Sequence, residues 1–335
     1  MTAAVLCGVG GYVPPRAVTN DELAARLDTS DEWIRRRTGI RRRHVVDAGS
    51  GTGDLAVAAG RRALDHAGVG HVDLVVLATT TPDRPCPASA PEVAHRLGLS
   101  AAALDVNAVC TGFVYALACA AALITAGTAG SALVVGADAF STILDPTDRT
   151  TTAIFGDGAG AVVLRAGTPD EPGAVGPFDL GSDGGLADLI QVPAGGSRQR
   201  STGVLSRDGD HFFRMDGKAV YRHAVLRMTA SARAVLSRAG LDVSDVDRFV
   251  AHQANARILD SVADALGLPA SRVVRNIDRV GNTAAGSVPL ALADAAASGA
   301  LRPGDRLLLT AFGGGLTWGS ALLTWPDTTT TGGMP

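Results

Sequence analysis

Cys110, His252 and Asn282 are the residues whose types, taken together, could carry out acyl chemistry. Cys110 lies in "DVNAVCTGF", where a strand pattern passes into an apolar helix pattern, so backbone N–H groups and the helix dipole are expected to favour its thiolate. A lone cysteine is most often just a small buried hydrophobe, and Cys7 and Cys119 read that way. His252 ends the strand pattern "DRFVAHQAN", and Asn282 lies in "GNTAAGSVP", in the register where the first half is expected to have Cys110. A histidine at a strand end, or an asparagine after glycine, is common by itself. The three matter as a set, because a thioester chemistry needs a nucleophile and neutral hydrogen-bond donors around it.

The elements that must position them repeat. "RRALDHAGVGHVDLVVLATT" is matched by "RAVLSRAGLDVSDVDRFVAHQA", each helix, glycine cap and strand in the same order. Each copy continues into a helix ending Leu97-Gly98-Leu99 or Leu266-Gly267-Leu268. The offset of roughly 170 residues is too long for a solenoid and implies two duplicated α/β halves. Strand runs such as "SALVVGADAF", "AGAVVLRAG" and "RLLLTAFGGG" predict a parallel sheet in each. The halves divide at 1–170 and 171–335, in the Gly- and Pro-rich stretch Gly167 to Pro177, and "PAGGSRQRSTGVLSRDGDHF" reads as a surface excursion. Strand ends and helix starts from both halves would then converge at the pseudo-twofold, bringing Cys, His and Asn together.

No charged residue falls between Asp105 and Asp138, yet Ala, Gly and Thr dominate that stretch and "GTAGS" interrupts it, so a buried helix to about Ala126 is expected, not a membrane span. A net charge of -3 in 335 residues argues against a nucleic-acid or anionic-membrane binder, while leaving room for local arginine patches. Four cysteines without a CxxC pair suggest a reducing, cytoplasmic setting, and the amino terminus does not read as a signal peptide. "GDGAG" lacks GxGxxG spacing and reads as tight turns, and neither a GKS/T loop nor HExxH is present, so ATP and zinc are not implied.

"DVNAVCTGF", "HQANARI", "GNTAAGSVPLAL", "FGDGAGAVVL", "TSDEWIRRRTGIRRRH" and "AFGGGLTWGSALL" resemble, in order, motifs of the β-ketoacyl-acyl carrier protein synthase III family of thiolase-like condensing enzymes. The resemblance runs from Gly8 to about Trp325. It implies a five-layered αβαβα fold of two duplicated halves, a homodimer, and no permanently bound cofactor, with acyl-CoA and a malonyl-acyl carrier protein as substrates. By motif, Cys110 is the acyl-accepting nucleophile completed by His252 and Asn282, and the oxyanion hole is formed by the Cys110 N–H and Gly314. Trp33 and Arg149 resemble the pair that sandwiches the coenzyme A adenine, Arg37 a phosphate contact, and Gly217 and Asn255 pantetheine contacts. Arg222 and Arg257 match basic positions that receive the acidic carrier protein, and Cys86 falls where short-chain enzymes carry an aromatic at the acyl pocket, implying room for a longer or branched acyl group. The run "GNTAAGS" replaces a more usual Ser-Ala-Ala. Two alternatives stand beside condensation: acyl transfer to a hydroxyl, amine or carrier thiol without decarboxylation, and a non-catalytic partner subunit. A thiolase is disfavoured because "FGGGLTWGS" has no cysteine.

Overall fold

The apolar stretch after Cys110 forms helix Gly112–Thr125, lined by Phe113, Val114, Leu117 and Ile124 on one side and small alanines on the others. A helix apolar on nearly every face must be covered on nearly every face, and here it lies between two sheets. The computed structural model describes residues 1–327. Among them no helix is long and apolar enough to cross a membrane.

The first sheet contains β1 (Ala3–Tyr12), β2 (Leu74–Ala78), β3 (Ala102–Val106), β4 (Ser131–Asp138) and β5 (Gly158–Gly167), in the order β1-β5-β4-β2-β3. The second contains β6 (Val175–Ser182), β7 (Arg248–Ala251), β8 (Arg306–Gly313) and β9 (Thr317–Thr324), in the order β7-β8-β9-β6. A single bridge from Phe249 to Val273 stands where a fifth strand would pair. In both sheets the strand before the central pair is parallel to its neighbour (β2 with β4, β7 with β8) and the next two pairings are antiparallel. The sheets are therefore mixed, not parallel as the Val-rich runs implied. The reason is connection length: β8 returns into β9 through Gly314 to Leu316, too short a link for a parallel crossover.

Six helices complete the layers: α1 (Asp31–Thr38), α2 (Thr52–Ala67), α3 (Gly112–Thr125), α4 (Gly217–Ala239), α5 (Ala256–Leu266) and α6 (Ser287–Ala297). α3 and α6 form the middle layer, where Phe113, Leu117, Val288 and Leu292 meet Val76 from one sheet and Leu309 from the other. α2 covers the first sheet through Leu55, Ala59 and Ala63, while α4 and α5 cover the second through Met228, Val235 and Leu259. α2 and α4 stop at left-handed glycines, Gly68 (φ 67°) and Gly240 (φ 65°), the caps the sequence implied. "GDGAG" is not a pair of turns: Gly158 begins β5, and a Cβ on Gly160 would lie 2.3 Å from the Leu290 nitrogen, so glycine is needed for α6 to lie against that strand.

α1 belongs to the first half in sequence but packs on the second, with Ile34 and Ile40 in the same cluster as Val220 and Ile258. Ser30 caps it by accepting from the Trp33 N–H at 3.1 Å. Arg43, from the second arginine run, is buried and ties this segment down by donating to Val18 O, Asn20 Oδ1 and Ala153 O at 3.2, 2.9 and 2.6 Å.

Candidate active site

Cys110 sits in a single 3-10 turn, Val109–Thr111, at the head of α3. Val109 has φ 49°, a left-handed conformation that a β-branched residue rarely adopts. Asn107 steadies it, its Oδ1 accepting from the Val109 N–H at 3.3 Å, while Thr111 N–H donates to Ala108 O at 3.0 Å. The second half builds the same turn ahead of α6. There Ala284 has φ 46°, Asn282 Oδ1 accepts from Ala284 N–H at 2.9 Å, and Gly286 N–H donates to Thr283 O at 2.9 Å. Asn282 is thus the counterpart of Asn107, and Ala285 that of Cys110, which corrects the expected register. The correction has a physical cause: in each half the asparagine must precede the left-handed residue to accept its amide, so it cannot occupy the nucleophile's place.

That bond also orients Asn282. With Oδ1 held by Ala284, the amide NH₂ is the end left to donate. The backbone is clamped as well, Asn282 N–H donating to Ile154 O at 2.9 Å and Asn282 O accepting from Gly156 at 3.0 Å. His252 follows β7, its N–H donating to Thr310 O at 2.8 Å. The ring is buried, its Nδ1 has no partner among the described residues, and burial pushes its pKa down to about 3, so it is neutral at pH 7.

Cys110 departs from expectation. Burial pushes its thiol well above the usual range and the nearby Asp138 carboxylate adds to this, opposing the helix N-terminus. The resting group is a thiol, its ionised form disfavoured chiefly by burial. Gly313 closes on its backbone: a Cβ there would lie 2.7 Å from Cys110 N and 3.0 Å from Thr111 N. Gly314 follows, packed near Val109 and Ile190, its carbonyl accepting from Thr317 Oγ1 at 3.0 Å.

A cavity of about 740 Å³ joins these groups to solvent. Its buried end holds Cys110, His252, Asn282, Phe312 and Gly313, and its walls include Phe155, Phe213, Ile190 and Met215. Phe155 stacks on Phe140 with centroids 4.3 Å apart, and Phe213 meets both edge-on at 5.1 and 5.0 Å. At the exposed end lie Trp33, Arg37, Gly217, Lys218, Arg222 and Arg257. Asn255 also lines the cavity, with Oδ1 engaged in capping α5 through Ile258 N–H at 2.9 Å. Arg37 and Arg149 both lie over the Trp33 ring, 5.1 and 5.4 Å from its centroid, and Arg149 pairs with Asp28 Oδ2 at 2.8 Å.

Cys86 does not join this set. It is exposed, in the loop between β2 and the helix that starts at Ala90, and lies outside the cavity lining of its own chain. Within this chain the apolar walls come from Phe155, Phe213, Ile190 and Met215, none of them singled out from sequence. Phe213 had a signal: "HFF" is an apolar pair closing an otherwise polar excursion.

Two mixed sheets around paired central helices, with a cavity ending at a cysteine in the turn that leads into one of those helices, define a thiolase-like synthase. Residues 104–184 match the family model described as 3-oxoacyl-[acyl-carrier-protein (ACP)] synthase III, and residues 236–325 match that of its C-terminal part. A β-ketoacyl-[acyl-carrier-protein] synthase III of Streptomyces coelicolor is 63% identical over 328 residues, covering 98% of both chains, and one from Pseudomonas aeruginosa is 57% identical over 325 residues, covering 97% of both. The crystal structure of the 3-oxoacyl-(acyl carrier protein) synthase III of Pseudomonas aeruginosa superposes with a TM-score of 0.91 at 55% identity, covering 97% of this chain and 99% of that one. The priming β-ketosynthase of the R1128 polyketide pathway gives 0.90 at 38% identity, covering 97% of each. The chain belongs to the 3-oxoacyl-[acyl-carrier-protein] synthase III family and is a condensing enzyme.

Proposed function

We propose that this enzyme loads an acyl group from acyl-CoA onto Cys110 and condenses it, with loss of CO₂, with a malonyl thioester on acyl carrier protein, initiating fatty acid or polyketide assembly. The observation that carries the proposal is the convergence of Cys110, a neutral His252 and Asn282, whose Oδ1 is already engaged, at the closed end of one cavity. In the first half-reaction the Cys110 sulfur attacks the thioester carbon, the CoA sulfur leaves, and the Cys110 proton ends on CoA. The tetrahedral oxyanion is held by the Cys110 N–H and a Gly314 N–H. In the second, malonyl C–C cleavage releases CO₂ and leaves an enolate. His252 and Asn282 donate to its oxygen without adding net charge, and its carbon attacks the acyl-Cys110 thioester, expelling the thiolate. Those two donors serve decarboxylation and have no part in simple acyl transfer, which favours condensation over that alternative.

At the exposed end, Trp33 with Arg37 and Arg149 suits an adenine ring and phosphates. Gly217 and Asn255 flank the pantetheine arm, and Arg222 and Arg257 receive the acidic carrier protein. Coenzyme A thioesters are substrates, and no resident cofactor is needed. The halves act as units 1–170 and 171–335, the protein working as a cytoplasmic homodimer. Incubation with a panel of acyl-CoAs and malonyl-carrier protein, read by mass spectrometry, should show acyl-Cys110 and β-ketoacyl products. A Cys110→Ser variant with undiminished condensation would refute the mechanism.

A further inference from the structure

Each position at the closed end of the cavity has a counterpart across the pseudo-twofold. Ser131 and Arg306 begin equivalent strands, their carbonyls accepting from Asp73 and Asp247 N–H at 3.2 and 2.9 Å; Asp138 and Gly313 end those strands. Ala78 closes β2 where His252 follows β7. With the turn equivalences above, the set Cys110, His252, Asn282 and Gly313 is mirrored by Ala285, Ala78, Asn107 and Asp138. This twin has lost the nucleophile and the imidazole, and it carries a carboxylate where the active side has glycine.

The carboxylate is fully buried and not idle. Asp138 Oδ2 accepts from the Ala285 N–H at 2.9 Å, and this amide is the counterpart of the Cys110 amide. Oδ1 accepts from Thr80 N–H at 2.7 Å, Thr81 N–H at 3.1 Å, Thr81 Oγ1 at 3.0 Å and Thr79 Oγ1 at 3.1 Å. A buried carboxylate is costly unless its oxygens are satisfied, and here five donors converge on it. On the active side the same space is kept open: the Cβ that Gly313 lacks would already crowd the Cys110 nitrogen.

We infer that Asp138 is a positioning residue for the Asn282 donor: its carboxylate fills the silent twin of the oxyanion site and, by binding the Ala285 amide, locks the turn from Asn282 to Ser287 against β2 and β4. The inference rests on the proposed role of Asn282 in decarboxylation. Acylation of Cys110 uses groups from the other turn and does not need this lock, and loss of the Asp138 charge would ease ionisation of the Cys110 thiol; decarboxylation does need the lock. Replacing Asp138 with asparagine keeps the shape but leaves one acceptor, so an NH₂ must face either the Ala285 N–H or the Thr80 and Thr81 N–H groups.

The test is Asp138→Asn in the full chain, with two readouts: Cys110 acylation by acyl-CoA alone, timed by intact mass, and condensation with malonyl-carrier protein. Condensation kcat should fall about tenfold to a hundredfold, as for loss of a well-satisfied buried carboxylate contact, with acylation slowed by no more than about threefold. Equal losses in both steps, or none in condensation, would overturn it. If that variant does not fold, Thr79→Val, which removes one donor from Oδ1, should lower condensation about threefold to tenfold and leave acylation unchanged, with the same outcomes against. An Asn282→Ala control separates the two readings. Undiminished condensation there defeats the proposed mechanism, while its loss beside an active Asp138→Asn defeats only the lock.

Discussion

The two ends of the cavity are built on opposite principles. At the closed end Cys110, His252, Asn282 and Gly313 are buried, backbone-clamped and formally uncharged at pH 7; at the open end Arg37, Arg222 and Arg257 are solvated, positively charged and carried on helix surfaces beside the half-exposed Trp33. A reacting thioester needs preorganised donors in a dry site, where each is worth most, whereas a nucleotide and a carrier protein need reach and long-range attraction. Changes at the closed end should therefore act on kcat of one half-reaction, and changes at the open end on KM.

Cys110→Ala should have the largest effect, turning the active turn into a copy of its twin. No acyl-enzyme adduct should be seen by intact mass, and condensation should fall by at least about a thousandfold. His252→Ala comes next. Removing one such donor typically costs about a hundredfold to a thousandfold, and here the loss should fall on decarboxylation while Cys110 still acylates. A comparable loss of acylation would break the division of labour between the two turns.

His252 also yields a pH prediction. Its folded pKa of about 3 lies below the ordinary 6.5, so between those values the unfolded chain binds a proton that the folded chain does not. Stability contributed by the neutral ring is complete above pH 6.5 and lost as pH falls toward 3. Thermal melts across that window should show a shallower acid loss for His252→Leu than for the wild type. Over pH 5 to 8 the ring keeps its neutral form, so its protonation should produce no acid limb in decarboxylation. Gly313→Ala is expected to be milder than loss of the donor. Its methyl group would crowd the Cys110 amide, and acylation should slow about tenfold to a hundredfold with decarboxylation of malonyl-carrier protein less affected.

The closed end was the more legible in sequence, for a reason that also explains the errors. Cys110, His252 and Asn282 sit at element boundaries, and boundaries leave marks: a run of Val before, glycine or alanine after, and a repeat that aligns them. The same marks could not distinguish Asn282 matching Cys110 from Asn282 matching Asn107, because the deciding feature is a left-handed φ at Val109 and Ala284, which neither residue type announces. Sheet direction failed similarly, since a buried Val/Leu run reads alike in parallel and antiparallel pairs. Phe155, Ile190 and the Phe213–Met215 pair come from three separate segments, and only tertiary packing makes them one wall. Cys86 was placed by motif alone, and the packing of its own chain leaves it exposed.

The open end should answer in smaller steps. Trp33→Ala removes the stacking platform beside two arginines, and stacking of a base on an aromatic ring is worth about 1–3 kcal/mol, so KM for acyl-CoA should rise about fivefold to a hundredfold with kcat unchanged. Smallest of all is the double variant Arg222→Ala, Arg257→Ala. Rim charges are worth about 0.2–1 kcal/mol each and act mainly through encounter, so KM for malonyl-carrier protein should rise severalfold at low salt. That difference should vanish as ionic strength approaches 1 M, where the Debye length shrinks to about 3 Å, and the KM for acyl-CoA should stay close to that of the wild type throughout. A salt-independent change, or one shared equally by acyl-CoA, would place these arginines with the nucleotide and not with the carrier protein, and the open end would then be one site instead of two.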